Sequence, residues 1–556
     1  MSQDFNLIDQ IIKKQDHEKL VTIKSILLKE LPFLREHAFN DRIVVPAVLF
    51  LEMMAQNAKL LFPGHQLTKV NYIDFKGILT LKEDIETKVI TETVCSELNN
   101  DSAVIEGTIY YELMNQRLQM KRKRVIARFE AILKPDDYLG EQENIFPFFP
   151  VSDLVIEKED IYPDLVGIGE SFNQLDSVLQ LSSKKGITGQ LIKRDTGENQ
   201  VYTDSYLLGD LFIRDSAYHL ASIFGNHVVG GFNIPFYMSD IHFNKSLRDK
   251  SYFCTAHVLE HTDTESAYSL KIVDDEGSVV ESYGRISYTY KVGILGDPVV
   301  EGKIIKRMER IRELEDLKKA IQQHVELVAI WSVTMIEKIE TFLKELLTND
   351  EIVIYNKYLR KKSRLDFLGG RILSKLNILY AMNKWPATRS DFTDLNIKRT
   401  ENGSPELHIK ESITKPFFSI SHKTNYIFCA SQTHGPLGID LEEISERLIK
   451  VKKKYVSKGE EEILLSCSRD SANLYPSLTH LYTALWASKE AIIKYLNKSF
   501  YDIANNAILT KVEKNKFYFI YDQNGCSLPL KTVHFTYSNY VFSVITGEID
   551  GEKSSN

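Results

Sequence analysis

The stretch Gly438-Ile439-Asp440-Leu441-Glu442, read together with Trp486-Ala487-Ser488-Lys489-Glu490-Ala491 and Lys494, decides the reading of the C-terminal half of this chain. A turn signal, Gly435-Pro436, precedes the first segment, which reads as a strand. Side chains alternate along a strand, so Asp440 and Glu442 share one face, roughly 7 Å apart, while Ile439 and Leu441 enter the core. The second segment lies in a predicted helix from Leu481 to Leu496. At about 100° per residue, Trp486, Lys489, Glu490 and Lys494 fall within an arc of about 140°. Carboxylates brought that close repel each other unless a cation sits between them. With Ser419-Ile420-Ser421-His422-Lys423 upstream, the chain supplies three carboxylates, two ammonium groups and an imidazole. Such an inventory suits magnesium and a pyrophosphate, because magnesium takes few carboxylates and completes its shell with phosphate oxygens. Taken singly, each segment also reads as a solvated strand end or as surface ion pairs. Their joint presence in this order carries the argument.

In that order the segments resemble the 4'-phosphopantetheinyl transferase superfamily, of the longer surfactin-synthetase-activating type. Leu347-Thr348-Asn349-Asp350-Glu351, followed by Arg364, Gly369-Gly370-Arg371 and Lys375, is similar to that family's coenzyme A-binding region. Asn402-Gly403-Ser404-Pro405 is similar to its short Gly/Pro loop, and Lys454 to Glu460 to the segment before the second motif. The resemblance runs from about Val325 to about Thr546. It implies transfer of the 4'-phosphopantetheine group of coenzyme A to a serine of an acyl carrier protein. Asp440, Glu442 and Glu490 would hold Mg²⁺, and Glu490 would also be the general base. Lys489 and Lys494 would neutralise the pyrophosphate, Lys494 during transfer as well. Ser421 and His422 would contact phosphate oxygens, and Arg364 and Lys375 would reach the adenosine end. These roles agree with the demands of phosphoryl-type transfer, which asks for positioning and charge stabilisation and little covalent work from the protein.

The N-terminal half carries a second pattern. His37 is followed by Pro46 and by the apolar run Ala47 to Ala55, which reads as a long buried helix. Further on, Gly209-Asp210 leads through Asp215 and His219 into an apolar helical stretch, Leu220 to Phe224. Strands wrapped around one buried helix, occurring twice, resemble the double hot-dog fold of polyketide synthase dehydratase domains, whose halves contribute HxxxGxxxxP and DxxxQ or DxxxH. Tyr162 to Leu175, with Gly167, Gly169 and Phe172, is similar to the start of the second half. The match covers about Leu20 to Val292. It implies that His37 removes the α-proton of a β-hydroxyacyl thioester while a protonated Asp215, helped by His219, protonates the departing hydroxyl. One departure stands out: Asp41 occupies the family's glycine position, and Ala47 follows Pro46 where a glycine is usual. Glycine permits unusual dihedrals, so Asp41 bears on whether the half is active, silent and used for docking, or a template for cyclisation.

Length and composition frame the rest. At 556 residues, with 43% hydrophobic and 26% charged content, two or three globular domains are expected. A net charge of −7 argues against nucleic-acid binding. Five scattered cysteines without CxxC spacing read as a reducing compartment without a zinc site, and His257 with His261 lacks a third ligand. The acidic start lacks the features of a signal peptide, and the most apolar run, Ile43 to Leu51, is too short to span a bilayer, so a cytoplasmic enzyme without membrane contact is expected. Implied partners are coenzyme A, an acyl carrier protein and polyketide or fatty-acid synthase components, with Lys452 to Lys454 able to steer an acidic carrier.

The expected class is α+β: a double hot-dog over residues 1–296 (halves about 20–140 and 150–292), then a pseudo-twofold α/β transferase over 325–548. Residues 297–324 are expected to link them as an exposed charged helix, and 549–556 to form a disordered tail.

Overall fold

The structure, a computed structural model, describes residues 6–39, 41–115, 120–140, 142–194, 206–228, 232–291, 297–400, 403–409, 415–468, 475–523 and 525–547. Asn402 of the Gly/Pro loop and the expected tail, 549–556, lie outside the described residues. Two compact units emerge: Met1–Phe148 with Val155–Met308, and Phe149–Leu154 with Glu309–Asn556. Among the described residues no helix is long and apolar enough to cross a membrane.

The first unit is built on one thirteen-stranded sheet. Its first half runs, in spatial order, Gln10–Gln15, Lys19–Ile26, Thr87–Leu98, Ala103–Asn115, Met120–Pro135 and His65–Phe75. The second half continues with Phe232–Phe243, Val279–Lys291, Glu265–Val273, Ser251–His261, Gly186–Ile192, Leu175–Ser182 and Ile156–Glu157. The halves meet where His65–Phe75 pairs antiparallel with Phe232–Phe243, Tyr237 opposite Asp74 and Ile241 opposite Val70. Each half packs on one central helix, Ala47–Leu61 or Leu211–Val228, which is the double hot-dog arrangement.

Both helices are buried on nearly every side, and the sequence shows why. In the first, Pro46 stands in an extended conformation just before the helix, and every residue from Val48 to Ala58 is buried. Each large apolar side chain so placed contributes about 1.5–3 kcal/mol. The polar exceptions are bonded: Glu52 accepts the backbone N–H of Leu207 (2.7 Å) and Leu208 (3.0 Å), and Asn57 accepts from Thr22 (2.8 Å). The second helix starts nine residues earlier than the apolar run Leu220 to Phe224 predicts. Asp210 caps it, its Oδ1 accepting from Phe212 N (2.9 Å) and Ile213 N (3.1 Å). Gly209 takes φ +86°, where a Cβ would stand 2.5 Å from the backbone of Leu247. Asp215 and His219 therefore lie inside the helix, one turn apart on one face.

The second unit is built on two larger sheets of related architecture, beside a two-stranded pair, Asn396–Arg399 with Pro405–His408. One orders Val151–Ser152, Leu327–Ser332, Tyr426–Gln432 and Phe417–Lys423; the other orders Leu437–Glu443, Tyr540–Thr546, Cys526–Tyr537, Lys516–Gln523 and Ala507–Glu513. Helix Lys361–Ala381 packs on the first sheet and helix Leu478–Leu496 on the second. Between the sheets, serine hydroxyls replace a carbonyl ladder: Ser419 Oγ accepts from Ile439 N (3.3 Å) and Ser421 Oγ from Leu441 N (3.2 Å).

The same buried fastening occurs in both halves of this unit. Thr348 and Ser457 cap the helices Asn349–Lys357 and Lys458–Cys467 through capping boxes closed by Glu351 and Glu460. Each glutamate then pairs with a fully buried lysine of the long helix, Lys375 at 2.6 Å and Lys489 at 2.9 Å. Each lysine also donates to the carbonyl two residues before the cap, Leu346 (3.1 Å) or Tyr455 (2.7 Å). Each glutamate also accepts a strand N–H, from Ile397 (3.2 Å) or Leu509 (2.9 Å).

Residues 149–154 belong to this unit although the sequence reading placed residues from 150 onward in the hot-dog. Val151 pairs in parallel with Ile330, Pro150 O accepts from Ile330 N (2.9 Å), and Trp331 Nε1 donates to Phe149 O (2.8 Å). Asp153, 5% exposed, accepts at Oδ2 from Arg310 Nε (2.8 Å), Tyr426 OH (3.2 Å) and Tyr537 OH. The helix expected as a linker over 303–324 is Pro298–Ile321; its second half supplies Arg310 together with the buried Leu314, Leu317 and Ile321.

Removing Asp153 leaves two buried phenols without their shared acceptor and deprives the half-exposed Arg310 of its partner. Asp153→Ala is therefore expected to destabilise the second unit by about 3 kcal/mol, read as a lowered urea midpoint of that transition. Asp153→Asn, which can still accept, is expected to lose less.

Candidate active sites

In the second unit the site begins with a glycine. A Cβ at Gly438 would stand 2.0 Å from Ala491 O and 2.8 Å from Tyr495 N, so only glycine lets helix Leu478–Leu496 lie this close on strand Leu437–Glu443. The close approach brings Lys494 Nζ to 2.8 Å from both Ile439 O and Asp440 Oδ1. Asp440 is buried; its Oδ1 also accepts from Ser421 Oγ (2.8 Å), whereas its Oδ2 is buried without a partner. Glu442 accepts from Lys423 Nζ (2.6 Å) and Trp486 Nε1 (3.2 Å). Burial, together with the charges of Asp440 and Glu442, pushes the Glu490 carboxyl up to about 7, against partial relief from Lys494 and Lys423. Burial and Asp440 raise Glu442 likewise.

Three carboxylates thus face two ammonium groups. Among the described residues no group of three or more His, Cys, Asp or Glu is closed around a metal position. The all-oxygen donor set, the orphaned Asp440 Oδ2 and the mutual repulsion nonetheless fit a hard divalent cation.

Other predicted residues are placed differently. Ser421 spends its hydroxyl on Asp440 and Leu441 N, and so holds a carboxylate in position. His422 is half-exposed, with Nδ1 3.5 Å from Asp366 Oδ2. Arg364 donates to Glu340 (2.8 Å) and lies over the Tyr355 ring. Lys375 and Lys489 are corrections to the expected contacts with coenzyme A: both are 0% exposed and committed to Glu351 and Glu460. On a helical wheel Lys489 belongs to the arc of Glu490, but an unpaired buried glutamate is costly, and Lys489 turns to Glu460. Lys423 was missed, although strand alternation from Ser419 through Ser421 puts it on the same face.

In the first unit, a chamber of about 740 Å³ is lined by His37 from one half and by Asp215, Tyr218 and His219 from the other. His37 Nε2 lies 3.8 Å from Asp215 Oδ2, and His219 Nε2 lies 3.0 Å from the same oxygen. Val44 O, 2.7 Å from His37 Nδ1, can only accept, so Nδ1 carries the proton and Nε2 is free to act as a base. Burial pushes the His37 imidazole down, keeping it neutral. Burial alone would raise Asp215, but His219 and then His37 bring it below its ordinary value. That direction favours the carboxylate form of Asp215, against the protonated form expected from the resemblance. Asp41 takes φ +60°, the left-handed conformation a glycine would supply, at the turn joining Ala38–Phe39 to Arg42–Val44. Aspartate tolerates that region, so the turn beside His37 survives the departure.

The raised Glu490 sets a pH test. A carboxyl whose folded-state pKa exceeds its ordinary 4.5 favours folding when protonated. In the metal-free protein, stability is expected to fall as pH rises between about 4.5 and about 7, by an order of 2–3 kcal/mol, and to level off above. Glu490→Gln should flatten that slope, leaving the part Glu442 contributes, in urea titrations run in chelator at pH 5 to 8.

Residues 6–110 match the polyketide synthase dehydratase domain, and residues 436–545 match the 4'-phosphopantetheinyl transferase superfamily. The 4'-phosphopantetheinyl transferase gsp of Aneurinibacillus migulanus is 25% identical over 33% of this chain and 69% of its own length. The 4'-phosphopantetheinyl transferase Sfp of Bacillus subtilis is 29% identical over 19% of this chain and 44% of its own length. The dehydratase domain from the CurF module of curacin polyketide synthase is 16% identical, covering 51% of this chain and 99% of its own, with a TM-score of 0.44. The chain carries an N-terminal domain of the polyketide synthase dehydratase type and a C-terminal domain of the 4'-phosphopantetheinyl transferase superfamily.

Proposed function

We propose that the C-terminal domain transfers 4'-phosphopantetheine from coenzyme A to a serine of an acyl carrier protein, with Mg²⁺ held by Asp440, Glu442 and Glu490. The observation that carries this reading is the convergence of three carboxylates on Lys494 and Lys423, with Asp440 Oδ2 buried and unpartnered. Glu490, raised to about 7, takes the proton of the incoming serine hydroxyl near neutral pH. The serine oxygen attacks the phosphorus bearing the pantetheine arm; that P–O bond forms as the bond to adenosine 3',5'-bisphosphate breaks. Lys494 and Lys423 supply positive charge where the pyrophosphate separates. The bound cation supplies charge stabilisation for the leaving phosphate. Ser421 and Lys494 fix Asp440 throughout.

For the N-terminal domain we infer dehydration of β-hydroxyacyl chains tethered as thioesters, serving polyketide or fatty-acid synthesis in the cytoplasm. Support comes from the chamber that reaches both His37 and Asp215. His37 Nε2 accepts the α-proton; the His219–Asp215 pair delivers a proton to the β-hydroxyl; the C–O bond breaks, water leaves and an α,β double bond forms. The open chamber favours catalysis over a silent docking role.

Incubating candidate apo carriers with the protein, coenzyme A and Mg²⁺ should add one phosphopantetheine to their intact mass. Asp440→Ala and Glu490→Gln should reduce the rate by at least about a hundredfold. Every cognate carrier remaining at its apo mass with the unmodified protein would refute the assignment.

His37→Phe should abolish loss of water from a carrier-bound β-hydroxyacyl chain while leaving phosphopantetheine transfer unchanged. Equal dehydration by both forms would remove His37 from the mechanism.

A further inference from the structure

Strands Phe417–Lys423 and Leu437–Glu443 lie side by side, and two residues of the first reach two carboxylates of the second. Because side chains alternate along a strand, Ser421 and Lys423 share a face, as do Asp440 and Glu442. Ser421 Oγ donates to Asp440 Oδ1 (2.8 Å) and accepts from Leu441 N (3.2 Å), a short contact between buried groups. Two residues on, Lys423 ends its strand just before Thr424, which takes φ +43°. Its Nζ lies 2.6 Å from Glu442 Oε2, with the lysine side chain 32% exposed and the glutamate 13%. The other oxygen of Glu442 accepts from Trp486 Nε1 (3.2 Å).

The two lysines of this site are held differently. Lys494 is held twice, by Ile439 O and by Asp440 Oδ1, both at 2.8 Å. Lys423 has one partner among the described residues, reached by a flexible four-carbon stem that is partly open to solvent. Both oxygens of Glu442 therefore carry a donor, whereas Asp440 Oδ2 is buried without one. An ammonium ion and a divalent cation cannot share Glu442 Oε2, because like charges at contact distance repel strongly. A cation drawn to Asp440 Oδ2 meets a Glu442 that is already neutralised, and must displace the ammonium to use it. The displaced ammonium gains a new partner only where an anion stands beside the cation, as a pyrophosphate does.

We propose that Lys423 is a built-in competitor for the cation site, which yields Glu442 to a divalent cation only when coenzyme A offers the lysine its pyrophosphate. The cation and coenzyme A are then bound as a pair, and Lys423 strengthens the coupling between them. A site so built stays closed to metal until the substrate that needs the metal is present. This rests on the reading of Asp440, Glu442 and Glu490 as the cation site, and deepens it by giving the loading of that site an order.

The test measures Mn²⁺ binding to the full chain by paramagnetic resonance, with and without coenzyme A and with no carrier present, so that turnover plays no part. Without coenzyme A, Lys423→Met is expected to bind Mn²⁺ about tenfold more tightly than the unmodified protein, within the usual range of a coupling between two ligands. With coenzyme A that advantage should disappear, because the unmodified lysine has then turned to the phosphate. Lys423→Arg keeps a competing cation and should follow the unmodified protein, which separates lost competition from a disturbed fold. A lysine that merely repels the ion would give Lys423→Met the same advantage with and without coenzyme A, and that result would overturn the proposal. Equal Mn²⁺ affinity of the two proteins without coenzyme A would overturn it as well. Asp440→Ala tells the failure of this proposal from the failure of the site. If it abolishes Mn²⁺ binding while Lys423→Met shows no difference that depends on coenzyme A, the cation site stands and the role of Lys423 falls. If Mn²⁺ binding survives in Asp440→Ala, the ion lies elsewhere and both fall.

Discussion

Taking a charge out of water costs several kcal/mol unless a partner goes with it, and that constraint organises both units. Arg214, fully buried, is clasped by Glu281 at 2.9 to 3.1 Å, and Tyr283 completes the glutamate's shell. Lys375 with Glu351, Lys489 with Glu460, and Asp153 with Arg310 solve the same problem elsewhere. Each solution ties distant elements together, because the partners come from different helices and strands. Where the matching is left incomplete, chemistry is available. Asp440, Glu442 and Glu490 outnumber Lys423 and Lys494, and Asp215 shares two imidazoles at one oxygen.

What the sequence made legible follows from local periodicity. Alternation along a strand paired Asp440 with Glu442, and spacing along a helix paired Glu490 with Lys494 and Asp215 with His219. Two runs of apolar residues announced the two central helices of the hot-dog halves. What escaped was decided by partners remote in the chain. Nothing near Lys489 reveals that Glu460 will claim it, since a helical wheel gives direction but not appetite. Nothing near Lys375 points to Glu351. The left-handed turn at Asp41 could be suspected from the missing glycine, but its accommodation needed the backbone.

The transferase domain repeats its architecture without repeating its chemistry. Both halves carry the capped helix, the buried glutamate and the lysine of the long helix. Directly after the lysine stands Leu376 in the first half and Glu490 in the second. Leu376 is fully buried and packs; Glu490 is the carboxylate raised by its neighbours. The repeated fastening thus sets the register of each long helix, and a single adjacent position decides which half holds a reactive group.

The assignment of residues 149–154 to the second unit also bears on how the chain is made. Val151 leaves the ribosome roughly 180 residues before Ile330, the residue it pairs with. At about 5–20 residues per second, that is a wait of about 10–40 s. During that interval the first hot-dog half is complete and the second is being synthesised, while Phe149 to Leu154 has no sheet to join. Its sequence, Phe-Pro-Val-Ser-Asp-Leu, answers the exposure with a proline that blunts strand pairing and an aspartate that keeps it solvated. Charge and proline of this kind oppose strand pairing by an exposed segment, so the residue that anchors the second unit when buried is compatible with solvent until then.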